Sequence, residues 1–153
     1  MTEELKKEYT RRITQANRSQ ITVLTFEMAL EYIKDAENAA SDAEFDIAVK
    51  RSKKCVEQLL LALDYKYGLS FTLMRIYNYV LLIYTKALSR RQFSELKEAR
   101  KILQGLHDSF EEAAKSDNSA PLMKNTEEVY TGLTYGKTGV NSSVADYNRG
   151  FRV

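Results

Sequence analysis

An all-α fold, an antiparallel up-down four-helix bundle with an N-terminal arm and a C-terminal extension, is what this sequence predicts. Three observations carry that expectation. Gly and Pro are nearly absent before Gly68 and the only Pro is Pro121, so little interrupts helix over most of the chain. Side-chain caps recur where helices would have to start. Between the caps, apolar residues return at steps of three and four, the pattern of helices that bury one face. The 153 residues, 44% of them hydrophobic, suffice for one ordinary domain with a real core.

Residues 1–16 form the arm, where Leu5, Tyr9 and Ile13 at steps of four read as a weak amphipathic helix able to lie in a groove. Asn17 and Gln20 have the form of a capping box and open a first bundle helix over about 17–40. Ser41 and Glu44 repeat the device for a second, about 42–64, with Phe45, Val49, Ser52, Val56, Leu59 and Leu63 as its stripe. Gly68 suits a left-handed residue after that helix, and Ser70 suits the cap of a third over about 70–89. Ser94 or Ser89 starts the fourth, about 94–115, with Leu96, Ala99, Leu103, Leu106 and Phe110 inward. Short connections make neighbours antiparallel. Residues 116–153 are an extension, with Leu122, Val129 and Tyr130 expected to pack and 132–153 expected to be mobile unless docked.

Two helices carry more apolar surface than a bundle needs. On the first, Phe26, Ala29, Leu30, Ile33 and Ala36 make a core stripe, while Ile21, Leu24, Met28 and Tyr32 lie well around the cylinder. On the third, ten of the twelve residues from Leu73 to Tyr84 are apolar or Tyr. Leu73, Ile76, Tyr77, Val80 and Tyr84 can fill a core; Tyr79 and Leu82 point elsewhere. Such a helix needs a cover beyond its bundle neighbours: a terminal segment, a second copy, or a partner peptide.

Sites for chemistry are absent from this reading. His107 is the only histidine and adjoins Leu106 and Phe110, a boundary setting more than an exposed phosphorelay acceptor. No Glu-x-x-His pair exists for a di-metal bundle site, and one His with one Cys makes no zinc set, so no metal or cofactor is expected. Cys55 beside Val56 reads as a buried, inert thiol. The stretch from Gly132 to Thr138, GLTYGKT, is one residue short of a phosphate loop and follows no strand. The Asn17–Arg18–Ser19 and Asn141–Ser142–Ser143 triplets are glycosylation sequons without meaning in a cytoplasmic chain. A net charge of +2 gives no polyelectrolyte signal for nucleic acid. The start lacks a secretory signal, and the charge-free run Ile76 to Thr85 is too short to insert in a membrane. With a single Cys there is no internal disulfide, and a cytoplasmic setting is expected.

Three stretches resemble FliS, the family of flagellin-specific export chaperones of bacteria. Tyr9 through Ile13 to Gln15–Ala16–Asn17 is similar to the family's N-terminal tyrosine segment leading into a small-polar cap. Thr25–Phe26–Glu27–Met28–Ala29–Leu30 is similar to its first-helix pattern Leu-Tyr-Asp-Gly-Ala-Leu, with Thr25 and Met28 departing from it. Leu73 to Ala87, centred on Ile76–Tyr77–Asn78–Tyr79–Val80, resembles the third-helix run Leu-Tyr-Asp-Tyr-Met. Phe110 stands where members often have Trp, and the tail after Lys115 is longer than in the shorter members.

The resemblance implies a bacterial-cytosol bundle without enzymatic activity. It implies binding of flagellin's disordered C-terminal segment, prevention of premature polymerisation, and delivery to the flagellar export gate. It implies arm contacts at Tyr9 and Ile13 and groove residues at Leu24, Phe26, Leu73, Ile76, Tyr77 and Tyr79. The apolar surplus adds Ile21, Met28 and Leu82 to the partner-binding set. Read from the residues alone, the surplus predicts a helix-in-groove binder, monomeric or weakly dimeric. A disordered client must bury on the order of 1,000–3,000 Å² to offset its ordering. The alternatives are a self-associating helical bundle and a His107 phosphorelay domain.

Overall fold

A computed structural model describes residues 1–123. Within them the protein is all-helical: α1 (Glu3–Thr14), α2 (Arg18–Glu37), α3 (Asp42–Leu61), α4 (Leu69–Arg90), a 3₁₀ turn (Phe93–Glu95) and α5 (Leu96–Ala114). The GLTYGKT stretch, the second sequon, Val129, Tyr130 and the expected mobility of 132–153 lie outside the described residues. Leu122 does not pack as expected; its side chain is exposed.

Helix α2 packs on α3 and α5, α3 on α4, and α4 on α5, a ring of neighbours compatible with the expected up-down bundle. Contacts between opposite ends set the directions. Arg91 at the end of α4 pairs with Asp42 and Asp46 at the start of α3. Arg100 near the start of α5 meets Glu37 at the end of α2. Helix α1 runs back along α2, its Met1 amino group against Asp35 and its Arg12 against Glu27.

The first expected capping box opens its helix in full; at the second, Ser41 caps α3 but the Glu44 carboxylate accepts from the Ala40 N–H instead of the Ser41 N–H. Asn17 accepts from the Gln20 N–H at 2.9 Å and its own N–H donates to Gln20 Oε1 at 2.9 Å. Ser41 Oγ accepts from the Glu44 N–H at 3.2 Å. The α3–α4 connection differs from the expectation. Gly68 is not left-handed; with φ −59° it leads directly into α4. Ser70 is no cap but lies inside α4, its hydroxyl donating to the Asp64 carbonyl at 2.5 Å. Asp64 instead organises the turn, its Oδ1 accepting from the Lys66 N–H. Among the described residues the left-handed non-glycine residue is Arg91, at φ 50°, its side chain paired with Asp42 and Asp46.

The core is one cluster drawn from α2, α3, α4 and α5, built on Phe26, Ile33, Val49, Val56, Tyr77, Val80, Tyr84, Leu96 and Leu103. At its centre Ser52 Oγ donates to the Ala29 carbonyl at 2.7 Å and lies 2.7 Å from the Tyr84 hydroxyl. A buried hydroxyl left without a partner costs about 1–3 kcal/mol. Ser52→Ala orphans the Tyr84 hydroxyl, so denaturant unfolding should show a loss of that size. Tyr84→Phe leaves Ser52 bonded to Ala29 and should cost less.

Candidate partner-binding surface

Helix α1 covers part of the second apolar stripe of α2: Leu24 is buried, Ile21 and Met28 are partly buried, and Tyr32 lies outside the contact. Thr2 caps α1 by accepting from the Leu5 N–H at 3.2 Å. Glu3 and Glu4 in its first turn and Arg11 and Arg12 in its last suit the helix dipole. Its Leu5, Tyr9 and Ile13 pack with Ala16 on Ile21, Leu24 and Met28, a cluster separate from the core. Tyr9 and Leu24 are buried by this contact.

Glu27 is the polar hub of the same contact. Arg12 grips it with two hydrogen bonds of 2.6 and 2.9 Å, and the Arg12 guanidinium lies 5.6 Å from the Tyr9 ring centre. His107 Nε2 of α5 lies 3.7 Å from the same carboxylate, and its Nδ1 lies 3.0 Å from Asp108. Burial, with the nearby Glu27 and Glu31 carboxylates, pushes the Tyr9 hydroxyl up to about 12.

A phenol raised in the folded state stabilises below its free value of 10.0, and that contribution is lost as pH rises through about 12. Alkali should therefore loosen α1 within that window. Tyrosinate absorbance checks it: Tyr9→Phe should remove a phenol titrating near 12, not one titrating near 10.

Helix α4 presents the opposite situation. Tyr79 and Leu82 are 44% and 50% exposed, and nothing in the described chain covers them. The Tyr79 hydroxyl donates to Glu98 at 2.8 Å. Ile76 is half-buried and lines an α4–α5 groove of about 610 Å³ with Ile102, Gly105 and Leu106. A second groove of about 440 Å³, between α2 and α3, is floored by Ile21, Met28, Cys55 and Leu59 and edged by Arg51 and Lys54.

The nine expected partner-binding residues thus fall into three sets. Ile21, Leu24 and Met28 lie under α1, together with the arm contacts Tyr9 and Ile13. Ile76, Tyr79 and Leu82 lie on the open side of α4. Phe26, Leu73 and Tyr77 are corrected: they are core, not surface. Phe26 is 0% exposed, its ring 6.2 Å from Tyr77 and 5.3 Å from Phe110. The reason is angular, since 26, 29 and 33 share the inner face of α2, as 73, 77, 80 and 84 share that of α4.

Sequence reasoning missed an apolar collar around the α3–α4 turn. Leu61, Tyr65, Tyr67, Leu69 and Phe71 are all exposed, with the Tyr65 and Phe71 rings 5.3 Å apart. The signal was present in the apolar run Leu59 to Leu63, too continuous for one stripe.

The Cys55 thiol is pushed up to about 11 by burial, so it stays protonated at neutral pH. His107, Asp108 and Glu111 form the one grouping of ligand-type side chains among the described residues, on a single turn of α5 with both carboxylates exposed. No helix among the described residues is long and apolar enough to cross a membrane.

An all-helical fold whose apolar surplus is partly covered by its own first helix and partly left open defines a class of protein that works by contact. Comparison with curated proteins gave no match. The sequence model of the flagellar protein FliS family matches residues 1–117. The chain belongs to that family, a family of flagellar export chaperones not known for enzymatic activity and partnered with flagellin.

Proposed function

We propose that this chain is a cytoplasmic chaperone that binds the disordered C-terminal segment of flagellin, prevents its premature polymerisation and hands it to the flagellar export gate. The cargo lies along the outer face of α4 and the second stripe of α2, and α1 is a built-in cover that yields to it. The observation that carries this reading is the pairing of a partly covered stripe, Ile21–Leu24–Met28, with an open one, Ile76–Tyr79–Leu82.

A stripe that waits for a partner must be kept from unspecific association, and a short helix does this at low stability. Twelve residues are marginal as an isolated helix in water, so α1 holds its place through docking. An extended client that wraps two faces can bury more apolar area than α1 does and displace it.

Calorimetry with a synthetic flagellin C-terminal segment tests the reading. A one-to-one complex is expected, weakened by roughly tenfold or more in Leu82→Asp, since a buried unpaired charge costs several times one hydrogen bond. Leu82 is exposed, so circular dichroism should show this variant folded. Absence of any complex contradicts the reading. A stable dimer by light scattering that excludes the segment would replace it with the self-associating bundle.

A further inference from the structure

To leave α2, α1 must pivot on the residues between Thr14 and Arg18, and that hinge is tied to the segment that follows α5. Asn17 is 3% exposed, unusual for a polar residue whose cap on α2 is already closed by Gln20. Its Oδ1 serves the cap; its Nδ2 serves something else, donating to the carbonyls of Asp117 at 3.1 Å and Ser119 at 3.3 Å. On one side of it the Leu122 N–H donates to the Ala16 carbonyl at 3.1 Å. On the other the Ser19 hydroxyl donates to the Asp117 carboxylate. The Ser119 N–H donates to the other Asp117 oxygen at 3.0 Å, which fixes the segment's own bend.

Residues 117–122 therefore straddle the hinge, touching Ala16, Asn17 and Ser19 in turn. None of these ties helps cap α2, and the segment that makes them has no helix or strand of its own. The family match ends at residue 117, so the ties made by Asp117 fall within it and those made by Ser119 and Leu122 lie beyond it. Moving α1 away redirects the Ala16 carbonyl, so the Leu122 tie opposes that motion, while the ties to Asn17 and Ser19 hold the segment at the start of α2 where it can do so.

We propose that residues 117–122 are a clasp on the α1–α2 hinge, so that release of the extension and release of the cover are coupled. The proposal rests on α1 being the yielding cover described above. Coupling is reciprocal. Anything that draws the extension away from the hinge eases cargo entry, and cargo that lifts α1 frees the extension.

Hydrogen exchange on the full chain without cargo tests the clasp. Asn17→Asp keeps the acceptor that caps α2 but turns a carboxylate toward two carbonyls. Leu122→Pro removes the N–H that reaches Ala16 at an otherwise exposed position. In each variant, α1 amides should exchange on the order of tenfold faster while α3 and α4 keep their protection. Unchanged α1 exchange in both variants overturns the clasp. Equal acceleration through all helices also overturns it, because the ties would then serve the whole fold. With the flagellin segment added, a loosened α1 that brings no gain in binding leaves the clasp standing and counts against the cargo reading instead.

Discussion

Replacing Tyr9 and Ile13 together by alanine is expected to tighten binding of the flagellin C-terminal segment by roughly tenfold or more. Together with Leu5, these two side chains make the apolar contact between α1 and Ile21, Leu24 and Met28. Full burial of a large apolar side chain stabilises by about 1.5–3 kcal/mol, so their loss weakens the docking of α1 substantially, leaving Leu5 and the Arg12–Glu27 pair. A cover held by about 2 kcal/mol leaves roughly 3% of molecules open and weakens apparent affinity about thirtyfold. Titration calorimetry of the double variant against the parent chain measures the gain. Unchanged affinity would mean that α1 and the segment do not compete. Weaker binding would mean that Tyr9 and Ile13 touch the cargo themselves.

Phe26→Ala is expected to destabilise the fold by about 3–5 kcal/mol, the cost of emptying a fully buried aromatic site. Phe26 sits between Tyr77 and Phe110 with no exposed surface, so it joins α2, α4 and α5. Leu82→Ala, on the open side of α4, should barely move the unfolding midpoint yet weaken segment binding. Denaturant unfolding of both variants, followed by binding under conditions where each is folded, separates core from docking surface. Near-normal stability in Phe26→Ala would return that residue to the groove that the family resemblance implied.

The elements were legible where the information is local. Asn17 with Gln20 and Ser41 with Glu44 mark helix starts because a cap is settled within four residues. The stripe on α5 was legible because it has a single apolar face, and that on α3 was legible up to Leu59, before its apolar run becomes continuous. Gly68 misled because glycine signals a break without saying which side of it turns; Asp64 and Ser70 made the turn and left Gly68 in ordinary helical geometry. Arg91 could not be foreseen as left-handed, since the two carboxylates it pairs with lie 49 and 45 positions earlier in the chain.

The candidate surface was half legible. Periodicity placed Ile21, Leu24 and Met28 off the core and set Tyr79 and Leu82 apart from it, and the structure has them so. Phe26, Leu73 and Tyr77 entered the set through family resemblance, which marks important positions without saying which way they face. The ties from Asn17 to residues 117 and 119 join positions about a hundred apart and leave no local pattern to read.

The central claim is that α1 gives way to the cargo. Hydrogen exchange on the full chain, with and without a saturating flagellin C-terminal segment, addresses it most directly. Displacement predicts that α1 amides lose protection while the outer faces of α2 and α4 keep or gain it. A saturated complex in which α1 stays as protected as in the free chain would contradict it.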